Sequence, residues 1–449
     1  MPSMNALRSC SILLAACLSG AAAHAAVDAH LTVDMHAVGG PGVQNAPPDK
    51  HYEVDATLGD TWMIVRNGAH TSFFDFERRR HVEIDEATHT RIDFSLYDAA
   101  GFRVMELANR QNLAKTMAAA KITQAQAQFD RVDVEHILAI QDKPGSPLKV
   151  AIEDSDTVFL NGTRVLARES TQATPVPAAQ ARMFAQLVRY TWGGHPQILA
   201  ALAQANAIPA TFTLTTVDAV TTTTAVKVSS VRPSSAGPIA VAAIAPRPDA
   251  AALTPVDHLL ARGDTFTAAD VAAARQRVRD QVAVAFKDKR PLDAWLGFIE
   301  WMLTTGEPPL QLDAEQKAAL AADPSVVALG PLLSPHPDKA DMQHAMEQLD
   351  ALRPHAQSQG YMLDLFIAND RASLGDRKTA RDGLVAVLQA HPFIAGAYKD
   401  LGDNLLVSYD ASNAWRCWDL GRRIAPGLAN FKAVNQFEAG LAAQHPEYF

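Results

Sequence analysis

The sequence predicts an α+β N-terminal domain with a largely antiparallel sheet, followed by an all-α C-terminal domain of helical hairpins. Three observations predict it. Apolar and polar residues alternate with period 2 in short runs between about 52 and 231. A Pro/Ala-rich stretch, 233–256, then interrupts regular structure. Beyond it the apolar patterns are helical, and from Tyr361 they recur every 34 residues.

With 449 residues the chain is too long for one typical core, so two domains are expected. A hydrophobic content of 48% with 20% charged residues suits a globular protein. The net charge of -9 and the lack of a basic stripe argue against nucleic acid as a partner, because phosphate binding needs a positive surface.

The N-terminus reads as an export signal over 1–25. Arg8 supplies the positive end, Ser9 to Ala22 the apolar stretch, and Ala23-His24-Ala25 a small-x-small cleavage site. The stretch is too short for a permanent span, so the expected destination is the periplasm. Leu14-Ala15-Ala16-Cys17 resembles the lipobox of bacterial lipoproteins, which would instead anchor the chain through Cys17. Cleavage after Ala25 or before Cys17 both stay open. Of three cysteines, Cys10 and Cys17 fall in this segment and only Cys417 remains, so no disulfide scaffold is expected.

The β-rich domain is placed at 45–232. "GGPGVQNAPPDK" reads as a loop, and strands follow at 52–57 and 61–66 with Asn67-Gly68 as a turn. Next comes "DFERRRHVEIDE", twelve residues from Asp75 to Glu86 holding three arginines, a histidine and five carboxylates. The alternation makes it a hairpin, with Val82 and Ile84 inward and His81, Glu83 and Asp85 on a solvated face. A helix is expected from about Phe102 to Phe129. Strands are expected at 132–140, 148–154 and 156–169, the last bent at Asn161-Gly162. Helices at about 178–192 and from Pro196 to Asn206 precede closing strands at 210–217 and 224–231. The series "FFDFERRRHVEIDEATHTRIDFSLY" with the closing "TAVKVSSV" resembles the periplasmic lipoprotein-carrier fold. That resemblance implies a curved sheet wrapped around helices and sheltering a lipid or other apolar ligand.

The helical domain is placed at 257–449, with helices at about 267–287, 291–304 and 313–322 and a proline-rich break at 332–339. Asp376 and Asp410, Ala380 and Ala414, Pro392 and Pro426, and the small pair Ala368 and Gly402 each stand 34 residues apart. Within 395–428, Tyr398, Leu401, Gly402, Ala414, Trp418, Gly421 and Pro426 resemble the signature of the tetratricopeptide repeat, with Leu405 replacing its usual aromatic. The unit 361–394 is a looser copy. "ADMQHAMEQLDALRP" hints at a further one without register, and a partial unit starts near Phe431. The resemblance, over about 361–449, implies a groove lined by Met362, Leu365, Asn369, Lys399, Asp403 and Leu406.

The chain holds no HExxH, GxSxG, Walker A, GxGxxG or EF-hand pattern. No catalytic residue, cofactor or metal ligand is therefore assigned. The expected function is a non-catalytic exported protein that binds an envelope protein partner through its C-terminal repeats. Two alternatives stand beside it: a periplasmic carrier of a lipid or apolar ligand through the β-rich domain, and an enzyme of unrecognised type.

Overall fold

The computed structural model describes residues 26–40, 46–122, 130–143, 145, 147–334 and 338–449. The signal-like segment 1–25, with Cys10 and Cys17, lies outside them, as do 123–129; the helix expected to reach Phe129 ends at Ala119. The N-terminal part is a large, mostly antiparallel sheet and the C-terminal part is all helical.

Six strands open the chain: β1 (Ala26–Gly39), β2 (Lys50–Leu58), β3 (Trp62–Asn67), β4 (His70–Asp75), β5 (Arg80–Asp85) and β6 (Thr90–Ser95). The helices α1 (Leu96–Ala119) and α2 (Arg131–Leu138) follow. Then come β7 (Lys149–Glu153), β8 (Asp156–Asn161), β9 (Arg164–Ser170) and the short β10 (Ala173–Pro175). After α3 (Ala178–Thr191) and α4 (Pro196–Gln204) the chain returns through β11 (Ala207–Pro209), β12 (Thr211–Val217), β13 (Val220–Ser234) and β14 (Ala245–Pro246). The main sheet has the order β14-β6-β5-β4-β3-β2-β1-β13-β12-β9-β8-β7, parallel only between β14 and β6.

Three elements differ from the sequence reading. The sheet starts ahead of position 45: β1 lies at its centre, paired with β2 and β13, and buries Ala29, Leu31 and Val33 on one face. The stretch expected as a strand at 132–140 is mostly the helix α2. Its valines fit either period, and local chemistry decides: the Asp130 side chain caps the N–H groups of Val132 and Asp133, and Arg131 pairs with Glu135 one turn on at 2.6 Å. The helix placed from Phe102 begins earlier, at Leu96, where the Ser95 side chain accepts from Tyr97 N–H.

The charged hairpin forms where expected, with Val82 and Ile84 buried, but its other face is partly covered too. Ile64, Phe73, Val82 and Ile84 pack beneath Ile239, Val241 and Ile244 of the proline-rich segment that joins the two units. That segment is pinned to β6: Arg91 Nε donates to the Ile244 carbonyl at 3.0 Å, and Arg247 N–H to the Arg91 carbonyl at 2.8 Å. On the opposite face His81 lies flat against Phe74, ring centroids 4.1 Å apart, and the Arg416 guanidinium sits 5.7 Å from the Phe94 ring.

The helical part runs through α5 (Pro255–Gly263), α6 (Ala268–Lys287), α7 (Pro291–Thr305), α8 (Ala314–Ala322), α9 (Pro324–Leu332) and α10 (Lys339–Leu352). It ends with α11 (Gly360–Leu374), α12 (Arg377–Ala390), α13 (Ala395–Val407), α14 (Ala411–Ile424) and α15 (Lys432–Gln444). The pairs α11–α12 and α13–α14 are successive hairpins. The side chains of Asp376 and Asp410 cap the second helix of each by accepting from Thr379 N–H and Asn413 N–H. At Gly402 a Cβ would meet the Trp418 ring at 2.4 Å and the Ala414 carbonyl at 2.9 Å, so only glycine allows α13 this close to α14.

The two parts dock through α1, which packs on α14 and α15. A Cβ at Gly101 would stand 2.4 Å from the Trp415 ring. Arg80 bridges Asp93 of β6 and Asp419 of α14 at 2.8 and 2.7 Å. Tyr448, fully buried, reaches the carbonyls of Leu138 and Ala139 at 3.0 and 2.8 Å, while its own carbonyl accepts from the Tyr190 hydroxyl at 2.8 Å. The last residues thus stitch the helical part to α2 and α3.

Candidate functional site

The six groove positions read from the sequence divide into two groups. Met362 and Leu365 are buried in the helical core. Asn369, Lys399, Asp403 and Leu406 reach the surface of α11 and α13, where Asn369 donates to Asp400 at 2.8 Å and Lys399 pairs with Asp403 at 2.5 Å. The reason is α7, which packs against both first helices of the hairpins. Its Leu303 would lie 2.8 Å from a Cβ on Gly396, one turn before Lys399, and its Glu300 accepts from the Tyr361 hydroxyl at 2.5 Å. Burial pushes the Glu300 carboxyl up to about 7, because the charged form has little water.

A groove opens on another face of the same hairpins, between α10, α11 and α12. Its volume is about 710 Å³. Met346, Ile367, Ala368 and Val387 line it with apolar surface, and Asp350, Arg353, Asp364 and Arg371 line it with charge. Arg353 bridges Asp350 and Asp364 at 2.9 and 2.7 Å. The spacing Asp364, Ile367, Ala368, Arg371 is one stripe of α11, and Met346 and Asp350 share a stripe of α10, with Arg353 just past its end. That α10 stripe lies in the stretch whose repeat register was unreadable, which is why the sequence reading missed this groove.

A second cleft, about 580 Å³, lies where the charged hairpin meets α1 and the α13–α14 corner. His81, Glu83, Asp98, Tyr190 and Ser412 line it. His81 Nε2 stands 2.7 Å from Glu83 Oε1. Burial raises the pKa of Asp98, opposed by His81, a hydrogen bond with Ser412, its backbone and Arg80. The cleft could hold a proton at Asp98. The His81 ring lies flat on Phe74, with its Nε2 beside Glu83. Cys417 is fully buried and burial raises its thiol pKa, which suits packing rather than attack. Among the described residues no three His, Cys, Asp or Glu side chains gather to hold a metal ion.

Met63, Phe184, Leu187 and Leu199 are fully buried in one core between the strands, α3 and α4.

No protein-family model matches the chain, and no curated protein matches it. Among solved structures, one described as lipid–protein interactions in lipovitellin is similar over 94% of this chain and 56% of its own, at 9% identity and a TM-score of 0.18. The chain thus spans little more than half of that structure, and a likeness this low carries no argument.

Proposed function

We propose that this is a non-catalytic exported protein that holds a segment of an envelope partner protein on its helical hairpins. The groove between α10, α11 and α12 carries the reading. Its apolar lining and charged rim suit an amphipathic segment laid between helices. The 34-residue period and the matching caps Asp376 and Asp410 favour a tetratricopeptide-like stacking of the hairpins. Asn369, Lys399, Asp403 and Leu406 form a separate face on α11 and α13. Export is supported by the order of Arg8, the apolar stretch and Ala23-His24-Ala25.

The test is capture from envelope extract by the whole protein and by the double variant Asp364→Lys, Arg371→Glu. The reading expects a partner that the wild type retains and the variant loses. The thermal midpoint should hardly move, since exposed ion pairs contribute about 1 kcal/mol or less. Equal capture by both proteins contradicts the groove. Loss with Lys399→Ala, Asp403→Ala alone would move the contact to the α13 face. Mass spectrometry of the mature N-terminus completes the test: Ala26 or a lipidated Cys17 supports export, and an intact Met1 contradicts it.

A further inference from the structure

A cavity of about 810 Å³ lies elsewhere, between α3, α4 and the residues around Glu447. Two helical stripes build it. On α3, Ala178, Arg182, Ala185, Gln186 and Arg189 follow one another at turns of the helix; on α4, Pro196, Leu199, Ala200 and Ala203 do the same. The α4 side is apolar and Met183 and Phe449 extend it, whereas the α3 side brings two guanidiniums, and Lys143 adds a third cation at the rim.

Arg189 is the unusual member. It is only 5% exposed, and Nη1 donates to the Glu447 carbonyl while the guanidinium lies 4.8 Å from the centre of the Tyr448 ring. Its Nε is buried without a hydrogen-bond partner, and the Glu447 carboxylate favours its charge only from beyond ion-pair distance. A buried cation ordinarily has an anion to offset its lost hydration. Two acidic side chains also line the cavity: Asp142 is 3.3 Å from Arg131, and Glu447, whose charge also favours the Arg189 cation, has Oε1 3.4 Å from His445. Gln186 also donates to the Glu447 carbonyl at 2.8 Å and leaves its own buried amide oxygen unpartnered.

We infer that this cavity binds a single-chain amphipathic carboxylate, its head between Arg182 and Arg189 and its tail along the apolar stripe of α4. A guanidinium fork recognises a carboxylate through paired charge-assisted hydrogen bonds. The volume is in the range of small-molecule sites, and the apolar wall leads away from the cations. The site is independent of the hairpin groove, so the two can fail separately.

The test titrates the full protein with oleate, with oleyl alcohol and with acetate. Oleate should bind one to one and about tenfold or more tighter than the alcohol, the effect of one good charge-assisted contact. Acetate alone should bind far more weakly, since it lacks the tail. Arg182→Ala, at an exposed position outside the core, should reduce oleate affinity about tenfold and leave oleyl alcohol unchanged. Ala203→Trp should abolish oleate binding by filling the α4 stripe, with unchanged circular dichroism showing that the fold survives. No oleate binding by the wild type, equal affinity for acid and alcohol, or full binding by a folded Ala203→Trp variant would each overturn the proposal.

Discussion

The two ends of the main sheet are finished in opposite ways. At the β6 end both faces are covered: Val82 and Ile84 lie under Ile239, Val241 and Ile244, and His81 and Phe94 face the α1 and α14 side. At the other end, among the described residues, β7 pairs only with β8, and Val150 and Ile152 are 50% and 68% exposed. The two strands carry similar side chains. What differs is what the rest of the chain lays over them: Arg80 of β5 meets a carboxylate 339 residues further along. Alternation shows which side chains share a face, and tertiary docking determines which faces are dry.

Matched substitutions at the two ends should separate these effects. Ile84→Ala removes a buried side chain under the joining segment and should cost about 2–5 kcal/mol in urea unfolding. Ile152→Ala should stay within about 0.5 kcal/mol, as exposed positions do. Comparable losses at both would show that β7 is covered in solution. Gly101→Ala comes next. It drives a methyl group into the Trp415 ring, and overpacking of this kind costs about 1–3 kcal/mol. Trp415 fluorescence should shift with it if α1 and α14 separate.

The smallest effect is the pH response of the covered end. Burial holds the Asp98 pKa above its ordinary 3.8, so the folded protein binds this proton more tightly than the unfolded chain. Its stabilising contribution is complete below about 3.8 and is lost as pH rises through the elevated folded value. Asp98→Asn should therefore gain stability relative to wild type as pH rises from about 4 to 7. An identical difference at both pH values would place Asp98 in water.

Much of this fold was legible in the residues, for identifiable reasons. Strands β3 to β6 alternate cleanly, and Gly68 and Gly162 take the left-handed turns that their sequence neighbours announce, at φ 60° and 63°. The spacing of Gly402, Ala414 and Trp418 announces a close helix pair, and α13 and α14 form it. Strand β1 was overlooked although Leu31, Val33 and Met35 alternate with Thr32 and Asp34, because it follows directly on the signal-like segment. Helix α2 was misread because a V-D-V-E pattern fits both periods and only the Asp130 cap separates them. For the site, helical spacing identified four surface positions but could not foresee α7 beside them, and nothing local marks Met362 as a core residue. Arg182 and Arg189 share one stripe of α3, but Lys143, the α4 wall and Glu447 come from other segments, so no spacing could have assembled the α3–α4 cavity.

The central claim is that the sheet and the helical part are one docked body, held by α1, Arg80 and Tyr448 rather than only by the peptide between them. Introducing a specific protease site at Gly237, an exposed position in the joining segment, tests it directly. Gel filtration of the cleaved protein at physiological salt should give one species at the elution volume of the intact chain, containing both fragments. Elution as two separate fragments would contradict the claim.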